Sequence, residues 1–334
     1  MILAATNRVP IHRGVLAAAL LVLCVAGYAS SQLSAQPNAQ GRGIISVETS
    51  LVVLPVRVTG TNGDFASGLA QDQFRVIENG RQQPITLFHQ EDTPVTVGLV
   101  VDHSRSMGPK LRGVSAAVSG FARSSNAEDE MFVVDFSDSV AIEEPGGKPF
   151  TNDPQELALA VSEVSARGMT ALYDAIAQGL DHLQKGRWDK KALIIVSDGG
   201  DNASRRKYAD ILELAHRSGA VIYAIGLVGT WEEENPGVLR RLCKDTGGLA
   251  FFPEAGQSVS DISAIIARDI REQYTIGFTP EKRSVDSFRK VRVEVTARER
   301  GKLQVRTRSG YYAGPSKEPV AGAGSGTKAS KEGS

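Results

Sequence analysis

Two aspartates, two serines and a threonine are the side chains in this chain best suited to shared chemistry. Asp102-His103-Ser104-Arg105-Ser106 follows the Val-rich run Val95–Val101, and Asp198-Gly199-Gly200-Asp201 follows the run Leu193–Val196. Thr170 lies between them in Arg167-Gly168-Met169-Thr170-Ala171-Leu172. Carboxylates brought together repel each other, and each is harder to ionise unless a cation stands between them. Asp102, Ser104, Ser106, Thr170 and Asp198 form an all-oxygen set with no sulfur and no paired imidazole. Hard oxygen donors suit Mg²⁺, or Mn²⁺ or Ca²⁺. Neutral hydroxyls leave such an ion electrophilic, with waters completing its shell, so that it can accept a carboxylate from outside the chain.

Each piece also has a simpler reading. Ser104 and Ser106 suit the cap of a helix starting near Lys110, and Thr170 suits the N-cap of a helix carrying Leu172 and Ile176. Asp198-Gly199-Gly200 suits a turn. A hydrolase reading is poor. Adjacent Asp102, His103 and Ser104 cannot fold back into a triad, no Gly-x-Ser-x-Gly elbow surrounds them, and no His-Glu-x-x-His occurs.

The elements that must position these residues alternate between two periods. Val95–Val101, Met131–Val134, Leu193–Val196 and Val221–Leu227 are short Val/Ile-rich runs of the kind buried on both faces of a parallel sheet. Helical faces lie between them: Leu111, Val114, Val118 and Phe121; Leu157, Val161 and Val164 after Asp153-Pro154; Leu172, Ile176, Leu180 and Leu183; Ile211, Leu212 and Ala215 before Gly219; Val238, Leu239 and Leu242; and Val259, Ile262, Ile266 and Ile270. This alternation predicts an α/β fold, a doubly wound, mostly parallel sheet with helices on both faces. Ligands of such sheets gather beyond the carboxyl ends of strands where the strand order reverses, which is where Asp102 and Asp198 would meet.

The flanks read differently. Leu51–Val58, Phe74–Ile77, Val291–Val295 and Leu303–Arg306 are strand-like, with turn signals at Asn62-Gly63 and Asn79-Gly80. Each flank alone is marginal in size for a core of its own. The economical expectation is one small β-sandwich-like module, made of 44–92 and 279–313, with an α/β domain over 93–278 inserted in it or flanked by it.

The first 35 residues read as an export signal, with Arg8, His12 and Arg13 ahead of the apolar stretch Val15–Ala26. That stretch is short for a bilayer span, so a secreted, periplasmic or cell-envelope protein without a membrane span after signal removal is expected. A polar linker (36–43) follows, and a Gly/Ser/Lys/Ala-rich tail (314–334) reads as disordered. With the signal removed, Cys243 is the remaining thiol, on a helical face, which makes it a core residue and leaves no internal disulfide. Lys+Arg and Asp+Glu balance at 38 each, giving no basic excess for nucleic acid.

Asp102-x-Ser104-x-Ser106, Thr170 after a glycine, and Asp198-Gly199 at a strand end together resemble the metal-ion-dependent adhesion site of the von Willebrand factor type A domains, shared by integrin I domains. The resemblance covers about 93–278. It implies that the serines and the threonine contact the metal, that the aspartates act directly or through water, and that an Asp or Glu of a protein partner supplies the last ligand. A non-enzymatic adhesion module follows from it; an envelope assembly factor with metal-independent binding is the competing expectation. Arg105 departs from the small residue frequent there and is expected to point to solvent. His103, Asp135 and Asp201 are expected around the site rather than in it.

Overall fold

The computed structural model describes residues 51–90, 92–162, 165–254, 256–280 and 287–313. The export-signal, linker and tail segments, and Val164, lie outside these residues. The chain runs β1 (Val52–Thr59), β2 (Phe74–Glu78), β3 (Arg81–Gln83), β4 (Leu87–His89), β5 (Thr96–Asp102), α1 (Leu111–Ser124), β6 (Glu130–Phe136), β7 (Val140–Glu143), α2 (Pro154–Ser162), α3 (Leu172–Leu183), β8 (Lys191–Ser197), α4 (Tyr208–Ser218), β9 (Val221–Gly226), α5 (Pro236–Thr246), β10 (Ala250–Phe251), α6 (Val259–Arg271), β11 (Tyr274–Phe278), β12 (Phe288–Val295), β13 (Gln304–Arg306) and β14 (Gly310–Tyr312).

The Val/Ile-rich runs form a six-stranded sheet in the order β10-β9-β8-β5-β6-β7. All its pairings are parallel except β6–β7, where a short connection returns the edge strand antiparallel. The first of these strands in the chain, β5, sits centrally between β6 and β8, so the order reverses at β5/β8. Alternate residues of each strand serve opposite faces. Val97, Leu99, Val101, Ile194 and Val196 pack under α1, α2 and α6 through Val114, Phe121, Leu157, Ile262 and Ile266. Val100, Phe132, Val134, Leu193 and Ile195 pack under α3, α4 and α5 through Ile176, Leu180, Ile211 and Leu239. Each such buried aliphatic side chain contributes about 1.5–3 kcal/mol of transfer free energy. Cys243 joins the second core as a buried free thiol.

Gly98, in the middle of β5, marks a tight point of that second core. A Cβ there would stand 2.6 Å from Phe132 Cζ and 2.7 Å from Leu193 Cδ1. Gly98→Ala is therefore expected to destabilise the fold by about 1–3 kcal/mol through overpacking. A drop in the urea midpoint at unchanged slope would bear this out; an unchanged midpoint would mean the two side chains have room to move.

The flanking strands form two four-stranded sheets, β13-β1-β11-β4 and β14-β12-β2-β3. Both draw strands from before and after the α/β region, and they share one core that includes Leu54, Val56, Phe74, Val76, Tyr274, Ile276, Val293 and Tyr311. Phe74, Phe88 and Tyr274 cluster there with ring centroids 4.9–5.6 Å apart, Phe88 and Tyr274 stacked and the other pairs tilted or edge-on. Asn79 and Gly80, both at positive φ, make the two-residue turn between β2 and β3. One strand departs from the expected grouping. Tyr274–Phe278, read from sequence with the α/β domain, lies between β1 and β4. Its apolar alternation fits either sheet, and only the long-range pairing Val52↔Phe278 decides.

The two parts meet at a buried ionic joint. Asp269 of α6 accepts a hydrogen bond from Tyr223 Oη (2.7 Å), pairs with Arg306, and lies 3.4 Å from Arg57 Nε. Arg57 also binds Glu272 at 2.9 Å.

Candidate metal centre

The loop after β5 and the loop after β8 stand side by side at the reversal point. Asp102 ends β5 and is fully buried. Its Oδ1 accepts from Ser104 N (2.8 Å) and its Oδ2 from Ser197 Oγ (2.6 Å). Burial pushes the Asp102 carboxyl up to about 6; the hydrogen bonds from Ser104 and Ser197 oppose this, and the charge of Asp198 adds to it. A cation near this carboxylate would offset the cost of its charge.

Asp198 follows β8. Gly199 makes the turn possible: it sits at φ +84°, and a Cβ there would stand 2.4 Å from Asn235 O. Asp198 Oδ1 accepts from Gly200 N (3.1 Å), and Oδ2 accepts from Ser106 Oγ (2.7 Å) and Lys110 Nζ (3.0 Å). Ser104 Oγ is 3.3 Å from Ser106 Oγ. Thr170 is held through its backbone: its N donates to Asn202 Oδ1 (2.8 Å), and its O accepts from Asn202 N (2.9 Å) and Ala203 N (3.0 Å). Arg105, Ser106, Thr170, Asp198, Trp231 and Glu234 line one concavity of about 210 Å³.

The capping alternatives have no bond to support them. Ser104 precedes the 3-10 turn Arg105–Lys110 and makes no side-chain cap bond, and the N-cap of α3 is Ala171 rather than Thr170. Thr170 is not a surface residue. It is 7% exposed, because the Asn202 segment closes over its loop. His103 is also buried, with Nδ1 bonded to Asp135, while Arg105 is exposed at the rim. Asp201 caps the opposite loop, accepting from Tyr173 N (3.1 Å) and Ser204 Oγ.

The donor chemistry can be tested against the ion. Oxygens around an octahedral Mg²⁺ lie about 3 Å apart along an edge, as follows from bonds of about 2.0–2.1 Å. The Ser104–Ser106 and Ser106–Asp198 oxygen separations, 3.3 and 2.7 Å, bracket that edge. Among the described residues no group of three or more His, Cys, Asp or Glu is disposed to hold a metal ion. Asp102 and Asp198 bring two carboxylates to these loops, and Ser104 and Ser106 bring hydroxyls. These residues fit a weakly ligated hard dication that keeps open positions.

Sequence reasoning passed over Ser197, Asn202, Lys110 and Glu234. Lys110 served there only to mark a helix start. Its contacts with Asp198 and Glu234 span 88 and 124 positions, and no local pattern announces them.

The family model for the von Willebrand factor type A domain matches residues 97–265. An uncharacterized protein of Synechocystis sp., sll0103, is 25% identical over 150 residues, which is 45% of this chain and 34% of that protein. The chain thus matches about a third of that relative's length. Among solved structures, a von Willebrand factor type A protein from Catenulispora acidiphila is similar at 13% identity, covering 79% of this chain and 73% of its own, with a TM-score of 0.47. An aerotolerance-related membrane protein from Bacteroides fragilis, carrying multiple mutations to serine, is similar at 15% identity over 53% of this chain and 98% of its own, with a TM-score of 0.45. The PilB minor pilin from Streptococcus sanguinis is similar at 15% identity over 55% of this chain and 63% of its own, with a TM-score of 0.43.

Proposed function

Because the chain belongs to the von Willebrand factor type A domain family, we propose that it is a non-enzymatic binding module that holds a divalent ion, Mg²⁺ before Mn²⁺ or Ca²⁺, at Asp102, Ser104, Ser106, Thr170 and Asp198, and captures a protein partner through an Asp or Glu carboxylate. The observation that carries this reading is the gathering of Ser104, Ser106 and Asp198 oxygens at octahedral-edge spacing, with Ser106 and Asp198 lining a concavity that Thr170 also lines. When bound, the ion would supply an electrophilic position for the partner's carboxylate. The chain's own residues do the rest. Ser197 and the Ser104 amide orient Asp102, Asn202 pins the Thr170 loop, and Gly199 sets the Asp198 turn. Met169 and Trp231, 54% and 43% exposed, stand at the rim as apolar contacts for residues beside the partner's acid.

Export to the outside of the cell or to its envelope belongs to the same proposal and rests on Val15–Ala26. No helix among the described residues is long and apolar enough to cross a membrane. One observation favours a second reading, binding that does not depend on metal: Lys110 already sits on Asp198 at 3.0 Å.

Calorimetry with Mg²⁺ and water-proton relaxation with Mn²⁺ separate the two. The first reading expects saturable uptake of a single ion, and a fall in relaxation enhancement when a glutamate-containing peptide displaces bound water. It also expects Thr170→Ala to weaken uptake by about 10-fold or more while the thermal transition stays in place, since the backbone bonds of Thr170 survive the change. No uptake by the parent chain, or parent-like uptake by Thr170→Ala, would overturn the site assignment.

A further inference from the structure

Lys110 closes the 3-10 turn that carries Ser106 and opens α1. Its side chain is only 13% exposed, and its ammonium lies between two buried carboxylates, 3.0 Å from Asp198 Oδ2 and 2.6 Å from Glu234 Oε1. Asp198 Oδ2 is also the oxygen that Ser106 Oγ reaches. The ammonium and the proposed dication thus share one oxygen. A dication about 2.1 Å from that oxygen would stand within about 5 Å of the ammonium, where like charges strongly disfavour each other. Glu234 offers the ammonium a second berth. It is fixed in its loop by Gly229 N, which donates to both carboxylate oxygens at 2.8 Å.

We propose that Lys110 is a resident cation that competes with the divalent ion for Asp198, and that Glu234 receives the ammonium when the ion takes that oxygen. This rests on the metal-binding reading above. In the metal-free chain the ammonium pairs with Asp198 and Glu234 and offsets part of their negative charge, so Asp198 has a cation beside it without the ion. Divalent affinity is then set by the exchange of the ammonium from Asp198 to Glu234. A monovalent ion gains little by displacing another single charge from the same oxygen, so the exchange favours dications over Na⁺ and K⁺. Because Glu234 belongs to the loop that carries Trp231, the exchange also couples ion uptake to the rim of the concavity.

The test is calorimetric titration of the full chain with Mg²⁺, comparing the parent with Lys110→Met and Glu234→Gln. Methionine keeps an unbranched apolar stem and removes the charge. Lys110→Met is expected to tighten Mg²⁺ binding by about 10-fold or more, the scale on which one nearby unit charge shifts an ionic equilibrium. Glu234→Gln is nearly isosteric and removes the second berth, so it is expected to weaken Mg²⁺ binding by about 3-fold or more. If Lys110→Met does not fold without metal, Glu234→Gln alone decides. A parent chain that binds Mg²⁺ while Lys110→Met binds it equally or more weakly, or while Glu234→Gln binds it equally or more tightly, overturns the competition and leaves the metal site standing. A parent chain that takes up no Mg²⁺ overturns both.

Discussion

Asp198→Ala is expected to lower Mg²⁺ affinity by at least ~100-fold, while the unfolding free energy stays within about 1 kcal/mol of the parent. Loss of residues that merely orient a metal ligand already costs 10–100-fold, so removing a charged ligand belongs at or beyond the top of that range. Stability should change little because most of what Asp198 holds has another partner or lines the open concavity. Lys110 keeps Glu234 at 2.6 Å. Ser106 lines the open concavity, and the buried Gly200 N loses one acceptor. The backbone oxygen of residue 198 still accepts from Asn235 N (3.1 Å), which keeps the two loops together. Paired Mg²⁺ titrations and chemical unfolding curves check both halves. A variant that binds like the parent would mean Asp198 serves Lys110 alone. One that unfolds by several kcal/mol would mean the carboxylate is structural.

Asp269→Ala is expected to be among the most damaging single changes, costing about 3 kcal/mol. Removing one member of a buried ionic cluster leaves the others charged and desolvated, at a typical cost of about 3–5 kcal/mol. Here the lower end applies. Arg306 is 24% exposed and retains Gly247 O at 2.9 Å, and Arg57 retains Glu272. Tyr223 Oη, fully buried in β9, would lose its acceptor but keep the bond donated by Gln273 Nε2 (3.0 Å). The cluster joins α6 to β1 and β13, so its loss should also blunt cooperativity, giving a broader unfolding transition as the α/β part and the β module separate. Denaturant unfolding followed by both circular dichroism and tryptophan fluorescence measures this. A change under about 0.5 kcal/mol with coincident transitions would show that hydrophobic contacts alone hold the joint.

Much of the architecture was legible because it rests on local periodicity. The runs Val95–Val101 and Leu193–Val196 became β5 and β8, and the face Leu111, Val114, Val118 and Phe121 became α1. Gly219, read as a stop, ends α4 at φ +70°. The convergence of Asp102 and Asp198 followed from a general property of open sheets. What escaped the sequence depends on contacts far apart in the chain. Tyr274–Phe278 fell within the 93–278 bounds although it pairs with β1 and β4, since five residues of apolar pattern do not name their partner. The burial of Thr170 was not legible because the Asn202 segment that covers it lies 32 positions away. Lys110 was passed over because nothing in Gly108-Pro109-Lys110 announces two carboxylates waiting in other loops.

The entry and exit of the α/β region have a mechanical consequence. The chain leaves the β module at β4 and re-enters at β11, and these strands are paired neighbours, with His89 opposite Thr275. The first and last strands, β1 and β14, both belong to module sheets. A pull applied at residues 52 and 312 therefore runs through β1, the module core, β12 and β14, and bypasses the α/β region. That region hangs from the load path as a pendant. Force on the chain should leave the Asp102–Asp198 loops slack until the β1–β11 ladder shears.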